Sequence, residues 1–339
     1  MLNDFFITRD AVNFLQNYLD AKDIALPGYR EKLLAFSQKQ LMSYEQWWAL
    51  LESLNAELNQ PALGLEIGRL VKVEHCGVLG YLFRTSRNLG EALNCYKRFE
   101  RLIYAGSTIT TDFDNIGLDN ADSMRITWDP KFGYSSQLSD ELLLASIVNI
   151  TREIVSPYVL NPSQISFTQS IDNQHITTYQ AFFGCEVRQN EKQLSITFKL
   201  SDLACPIPHE DQTLHDILGL QAEELLKHLP ENDLFLADLG SAIIRCLHEG
   251  RPNVQSVATH LHLSPRTLHR RLKEKNREFK NILKDVRKSM AKNYLSDDKL
   301  TLAEVALLLG YSEQSAFTRA FSTWFGESPA QYKRSHSDH

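Results

Sequence analysis

The 339-residue chain has no apolar run approaching 18 residues, so no segment is expected to span a membrane as a helix. Its start carries Asp4 and Asp10 and lacks a basic cluster followed by an apolar core, so no secretory leader is expected. Cysteine is scarce: Cys76, Cys95, Cys185, Cys205 and Cys246 are scattered and odd in number. That pattern is neither a disulfide framework nor a CxxC metal motif, and it points to a reducing cytoplasm. Phosphate-binding loops are missing too, because Gly77 and Gly80 belong to neither GxGxxG nor GK[ST].

Catalytic constellations are equally sparse. His75 and Cys76 are neighbours in sequence, and adjacent side chains seldom face one another as nucleophile and base. Asp140 and Glu141 fall at the start of a helix, where acids suit the dipole without acid–base chemistry. His260 and His262 have no third metal ligand close by in sequence. No metal, cofactor or catalytic residue is therefore expected. An enzyme fused to a binding module is the alternative these absences disfavour.

Positive charge is short overall, with a net charge of -6, which argues against a nucleic-acid partner until the chain is divided. Residues 1–230 carry -10, with 19 Lys+Arg against 29 Asp+Glu. Residues 231–339 carry +4, with 17 against 13, and within them 251–296 reach +9, with 12 against 3. A local basic surface on an acidic protein is what phosphate binding requires; a solvated helix face is the bland alternative.

With 43% hydrophobic residues over 339 positions, the chain can build the cores of two domains. Residues 1–60 read as helices. Val12, Leu15 and Leu19 share a face, and Ser43 can cap a helix bearing Trp47, Leu50, Leu51 and Leu54. Trp47 is expected in the core and Trp48 partly exposed. A helix over 62–71 follows Pro61, and another spans 91–104, with Gly106 as its stop. Period-two alternation then predicts strands over 108–113 and 124–128, joined by a polar turn near 114–121. A long amphipathic helix is expected over 140–155, a strand over 164–168, and a helix over 176–183 ended by Gly184. Residues 186–188 and 194–198 read as a hairpin. The N-terminal portion is thus α+β with a small, mostly antiparallel sheet.

The C-terminal portion is all helical and internally duplicated. Val257, Ala258 and Leu261 match Val305, Ala306 and Leu309 at an offset of 48, whereas Leu268, Arg270 and Leu272 match Phe317, Arg319 and Phe321 at 49. The one-residue slip falls in or just after the turn. Each unit reads as helix, turn, helix, with Gly310 turning the second and Ser264-Pro265 starting the later helix of the first. A helix over 279–295 joins them, with Ile282, Leu283, Val286, Met290 and Leu295 inward.

This duplicated unit resembles the DNA-binding domain of the AraC/XylS family of bacterial transcription regulators. The resemblance rests on Leu263 to Leu272, Val286-Arg287, Ala303 to Ala306, Gly310 to Phe321 and the closing run Trp324 to Lys333. Residues 61–68, 77–81, 89–93 and 182–185 resemble the arabinose-binding-like sensor domain of one subgroup. The sensor's name does not establish arabinose as the ligand.

The resemblance implies an α+β sensing and dimerisation domain (1–213), a linker (214–232) and a double helix-turn-helix domain (233–339). It implies a cytoplasmic activator with two recognition helices, residues 264–273 and 313–323. Arg266, His269 and Arg270 of the first and Gln314, Ser315, Thr318 and Arg319 of the second would approach bases. Arginine suits guanine and glutamine suits adenine. Arg271, Lys273, Lys275, Arg277 and Lys280 would hold phosphates. Held about 34 Å apart, the two helices would enter successive major grooves. The implied partners are double-stranded promoter DNA, RNA polymerase, a small-molecule effector and a second copy of the chain. A sensor domain that only dimerises is the alternative to effector binding.

Overall fold

The computed structural model describes residues 6–39, 41–104, 107–115, 122–130, 135–172, 174–229, 234–295 and 300–337. Two compact units emerge, one formed by residues 2–129 with 135–231 and the other by 232–339. Among the described residues no helix is long and apolar enough to cross a membrane.

The N-terminal unit opens with β1 (Phe6–Thr8), α1 (Asp10–Ala21), α2 (Pro27–Ser37), β2 (Leu41–Ser43) and α3 (Tyr44–Leu58). β1 and β2 form a two-stranded antiparallel ladder. Ser43 starts α3 through a full capping box with Gln46, satisfying two orphan donors of the first turn. Both Trp47 and Trp48 are buried, so the expected exposure of Trp48 does not occur. Trp48 instead packs edge-on against Tyr44, with ring centroids 6.0 Å apart.

Next come α4 (Leu63–Gly68), α5 (Gly77–Thr85) and α6 (Leu89–Phe99), then β3 (Ser107–Asn115), β4 (Asp122–Pro130) and α7 (Gln137–Val155). Gly106 and residues 116–121, the middle of the expected turn, lie outside the described residues. α4 lies unusually close to α7. A Cβ on Gly64 would come within 2.5 Å of Glu141, and one on Gly68 within 2.5 Å of Ala145. Glycines four apart share a helix face, so the pair lets two backbones approach where any side chain would separate them.

The unit continues with β5 (Gln164–Ser166), α8 (Ile176–Phe183), β6 (Glu186–Arg188), β7 (Leu194–Lys199), α9 (Leu200–Leu203) and α10 (Gln212–His228). The sheet order is β3-β4-β7-β5-β6. This corrects the expected hairpin of residues 186–188 with 194–198. β5 lies between them, pairing β6 in parallel and β7 antiparallel, with Ile165 opposite both Val187 and Ile196. The α8 crossover makes the parallel pairing possible, which a tight turn cannot. Residues 194–198 of β7 are buried throughout, as befits a central strand.

Residues 214–228, expected as a helix within the linker, do form a helix, α10, and it packs against α5 of the N-terminal unit. The imidazole of His215 sits between Thr85 Oγ1 (3.2 Å) and Cys95 Sγ (3.7 Å). Arg98 pairs with Glu223. Only Ala222 of α10 is buried, while Leu214, Ile217, Leu220 and Leu225 are 42, 58, 74 and 42% exposed. Residues 230–233, the rest of the expected linker, lie outside the described residues.

The C-terminal unit comprises α11 (Leu234–His248), α12 (Val254–His260), α13 (Pro265–Glu274), α14 (Phe279–Leu295), α15 (Leu302–Leu308), α16 (Gln314–Phe325) and α17 (Pro329–Ser337). α14 buries Ile282, Val286, Met290, Ala291 and Leu295 along one stripe, with Leu283 only half-buried. At 1.5 Å per residue it spans roughly 25 Å. Phe321 forms the hub of an aromatic cluster with Phe317, Phe325 and Tyr332, at 4.6–5.8 Å between centroids. Ser328 and Gln331 cap each other to start α17 beneath that cluster.

Candidate nucleic-acid interface

The two helix–turn–helix units are built by the same devices. Asn253 caps α12 by accepting from Ser256 N at 2.9 Å, and Thr301 caps α15 through a capping box with Glu304. Each first helix is followed by a residue in the left-handed region, His262 (φ 54°) in one unit and Gly310 (φ 68°) in the other. The next amide then folds back, Leu263 N onto Ala258 O at 2.8 Å and Tyr311 N onto Ala306 O at 2.9 Å. To this point the offset is 48. The second unit then inserts Ser312, so its N-cap is Glu313 where the first unit's is Ser264, an offset of 49. The slip therefore lies after the left-handed residue, where one extra loop residue leaves both apolar faces in register.

α13 buries Leu268 and Leu272 and exposes Arg266, His269, Arg270, Arg271 and Lys273, with Lys275, Arg277 and Lys280 exposed just beyond. Ser264 caps it by accepting from Thr267 N at 3.1 Å. The guanidinium of Arg270 lies 3.8 Å from Glu274, both well exposed, so the contact is a weak tether in water. Arg271 is drawn over the ring of Phe235 on α11, 5.4 Å from its centroid. It is thus more restrained than the free phosphate clamp the sequence suggests.

α16 buries Phe317 and Phe321 and exposes Gln314, Ser315 and Arg319. Thr318 is half-buried, and its hydroxyl donates to the carbonyl of Gln314 at 3.0 Å. That engagement leaves Thr318 an acceptor and a methyl group for outside contacts. Residues 265–280 hold seven Lys or Arg, whereas α16 holds Arg319 alone. The first unit is thus the electropositive one and the second is polar.

One residue that pattern reading did not assign organises the second unit. Arg287 of α14 donates from Nε to the carbonyl of Leu309 (2.9 Å) and from Nη2 to that of Gly310 (3.1 Å). Its guanidinium also lies 4.4 Å from the centroid of Tyr311. Burial pulls the Arg287 pKa down, countered by Tyr311. A charged residue among apolar α14 positions is the signal that could have revealed it.

His75 Nδ1 accepts from Lys72 N at 3.0 Å, a local cap that does not face Cys76. Cys76 is buried, which pushes its thiol up to about 12. His260 Nε2 lies 3.1 Å from Glu249, and Cys246 brings a third donor atom, all within 4.8 Å. His262 is occupied with the turn and is not part of that group. The His260–Glu249 contact by itself is an ordinary exposed pair.

Asp140 and Glu141 differ from their sequence reading. α7 begins at Gln137, so Asp140 still lies in its first turn and Glu141 just beyond, but both are buried. Glu141 accepts from Gly64 N at 3.1 Å, Gln137 Nε2 at 3.0 Å and the hydroxyl of Tyr179. Asp140 accepts from Gln169 Nε2 at 3.2 Å, and burial raises its carboxyl to about 7. Desolvation, not the helix dipole, dominates there.

Residues 28–207 match the family described as the arabinose-binding domain of AraC transcription regulators, and residues 257–335 match a helix-turn-helix domain family. The ornithine utilization regulator of Pseudomonas aeruginosa is 27% identical over 86% of this chain and 84% of its own. The HTH-type transcriptional regulator VirS of Mycobacterium tuberculosis is 28% identical over 91% and 87%. Among solved structures, the transcriptional regulator CdpR of Pseudomonas aeruginosa aligns with 96% of this chain and 98% of its own, at 20% identity and a TM-score of 0.46. The first family model covers more than half of the sequence, and the chain therefore belongs to the AraC family, as a DNA-binding transcriptional regulator, not an enzyme, with an N-terminal ligand-binding domain.

Proposed function

We propose that this regulator reads promoter DNA with two recognition helices, residues 264–273 and 313–323, placed in successive major grooves. The observation that carries this reading is the repeat itself. Two units with matching caps and left-handed turns, at offsets of 48 and then 49, each expose a polar or basic face on their second helix. Arg266, His269 and Arg270, with Gln314, Ser315, Thr318 and Arg319, approach base edges. Arg271, Lys273, Lys275, Arg277 and Lys280 neutralise phosphates and set the salt dependence. Each good bidentate contact contributes about 1–3 kcal/mol of discrimination.

Regulation runs through the N-terminal domain, where a small effector shifts the population toward the DNA-competent state. The direction is activation, through contact of the bound protein with RNA polymerase, as the family resemblance implies. The exposed apolar residues of α10 support a second copy of the chain as partner. Titration of promoter fragments with wild type, Arg270→Ala and Arg319→Ala tests base reading. Each variant should relax the preference at its own half of the site; unchanged preference in both removes the recognition roles. A reporter under the same promoter tests activation.

A further inference from the structure

The N-terminal unit holds a partly open cavity of about 90 Å³ among α1, α3, α5, α6 and α7. Its wall is hydrocarbon and aromatic, including Phe14, Trp47, Phe83, Leu93, Leu142 and Ile150. Among the described residues, none that lines it carries a formal charge. Several polar groups in the wall are already engaged within the protein. Ser146 donates to the carbonyl of Leu142 at 2.6 Å, and Cys76 contacts the carbonyl of Lys72 at 3.8 Å. The Tyr96 oxygen accepts from Trp128 Nε1 at 3.3 Å, and the Tyr104 ring packs edge-on against Tyr44, with centroids 4.8 Å apart.

The geometry points to a neutral, predominantly apolar effector, a short hydrocarbon chain or a single small ring, bound in this cavity. The inference rests on the reading of this domain as an effector sensor, and it narrows the ligand class. A pentose placed here would carry several hydroxyls against a wall that is chiefly hydrocarbon and offers few polar atoms. Each hydroxyl left without a partner weakens binding about tenfold. A charged amino acid fares worse, because no counter-ion lines the site and ionised groups are the costliest to desolvate. An apolar molecule needs no such partners and gains by leaving water. Size agrees: an apolar protein cavity of about 150 Å³ takes a benzene ring, so this smaller space suits a short chain or a ring seated by small side-chain shifts. Ala92 and Ser146 are the small residues whose enlargement would fill it.

The test uses the full chain with 1-pentanol and benzene as apolar probes and L-arabinose and L-ornithine as polar ones, by calorimetric titration and thermal shift. The apolar probes should bind saturably and raise the Tm by about 2–5 °C, with the polar probes silent. Ala92→Phe, and separately Ser146→Leu should the first variant not fold, should abolish that shift while keeping a cooperative melt. Binding of arabinose or ornithine with the apolar probes silent overturns the inference but leaves the sensor reading standing. Silence of all four probes, in a protein that still binds DNA, overturns both and makes the cavity a packing void. A shift from apolar probes that survives in both filled variants also overturns the inference, because the binding is then elsewhere.

Discussion

Arg287 stacks on Tyr311 with its guanidinium carbon 4.4 Å from the ring centroid, while the same guanidinium binds the carbonyls of Leu309 and Gly310. The connecting helix thereby grips the second turn directly, at the point where α15 ends and its carbonyls would otherwise lack partners. Arg287→Ala removes two charge-assisted hydrogen bonds and a partly buried ring contact. Urea unfolding should show a loss of about 2–4 kcal/mol. Arg287→Lys should recover less than half, because an ammonium cannot match the planar fork. An Ala variant within 0.5 kcal/mol of wild type, on the order of a surface substitution, would remove Arg287 from the turn's support.

The two turns differ in how well their residue suits the backbone. Gly310 sits at φ 68° with Pro252 Cγ only 2.9 Å from where a Cβ would lie, whereas His262 adopts φ 54° with a full side chain. Gly310→Ala should therefore destabilise by about 1–2 kcal/mol or more from left-handed strain, with the clash in addition. His262→Gly should stabilise by about 0.5–1 kcal/mol, relieving the same strain against a modest entropy loss. Opposite signs in thermal melts are the expected result; equal signs would mean that the turns are not equivalent.

Asp140 makes stability pH-dependent. Its folded pKa of about 7 lies above the ordinary value of 3.8, so the folded state holds the proton more tightly. Stability should fall as pH rises from about 4 to 7, where the unfolded chain has ionised and the folded one has not, and level off above that. Asp140→Asn keeps an oxygen for Gln169 and cannot ionise. It should gain about 4 kcal/mol over wild type at pH 8 and almost nothing at pH 4. Melts across pH 4–8 read this difference, and a constant gap would assign the effect to packing.

The exposed row on α10 predicts an oligomeric effect. Ile217→Glu and Leu220→Glu place a charge where side chains are 58 and 74% exposed, so the monomer should lose no more than about 0.5 kcal/mol. If α10 meets a second copy, light scattering after gel filtration should show dimer weakened at least tenfold. A mass unchanged by both variants would remove α10 as the contact.

Much of the C-terminal unit was legible in the sequence because its information is local. Caps at Ser264 and Thr301, apolar spacing at Leu268, Leu272, Phe317 and Phe321, and the offset between repeats are short-range patterns that helices express directly. α14 over 279–295 matches its expected span for that reason. The strand partners of β7 were not legible, because hydrophobic alternation marks a strand without naming its neighbour. The apparent hairpin of 186–188 with 194–198 proved to have β5 inside it.

By itself the sequence determined the two-part organisation, the segregation of basic charge into 251–296 and the polar outer faces of the duplicated helices. Periodicity and charge act over a few residues, so they can be read without coordinates. Only the tertiary structure decided that Arg287 clamps the turn at Gly310, that Asp140 is desolvated, that α10 docks on α5, and that an uncharged apolar cavity lies in the N-terminal domain. Each of these depends on which distant segments meet, and on whether a polar group there has lost its water.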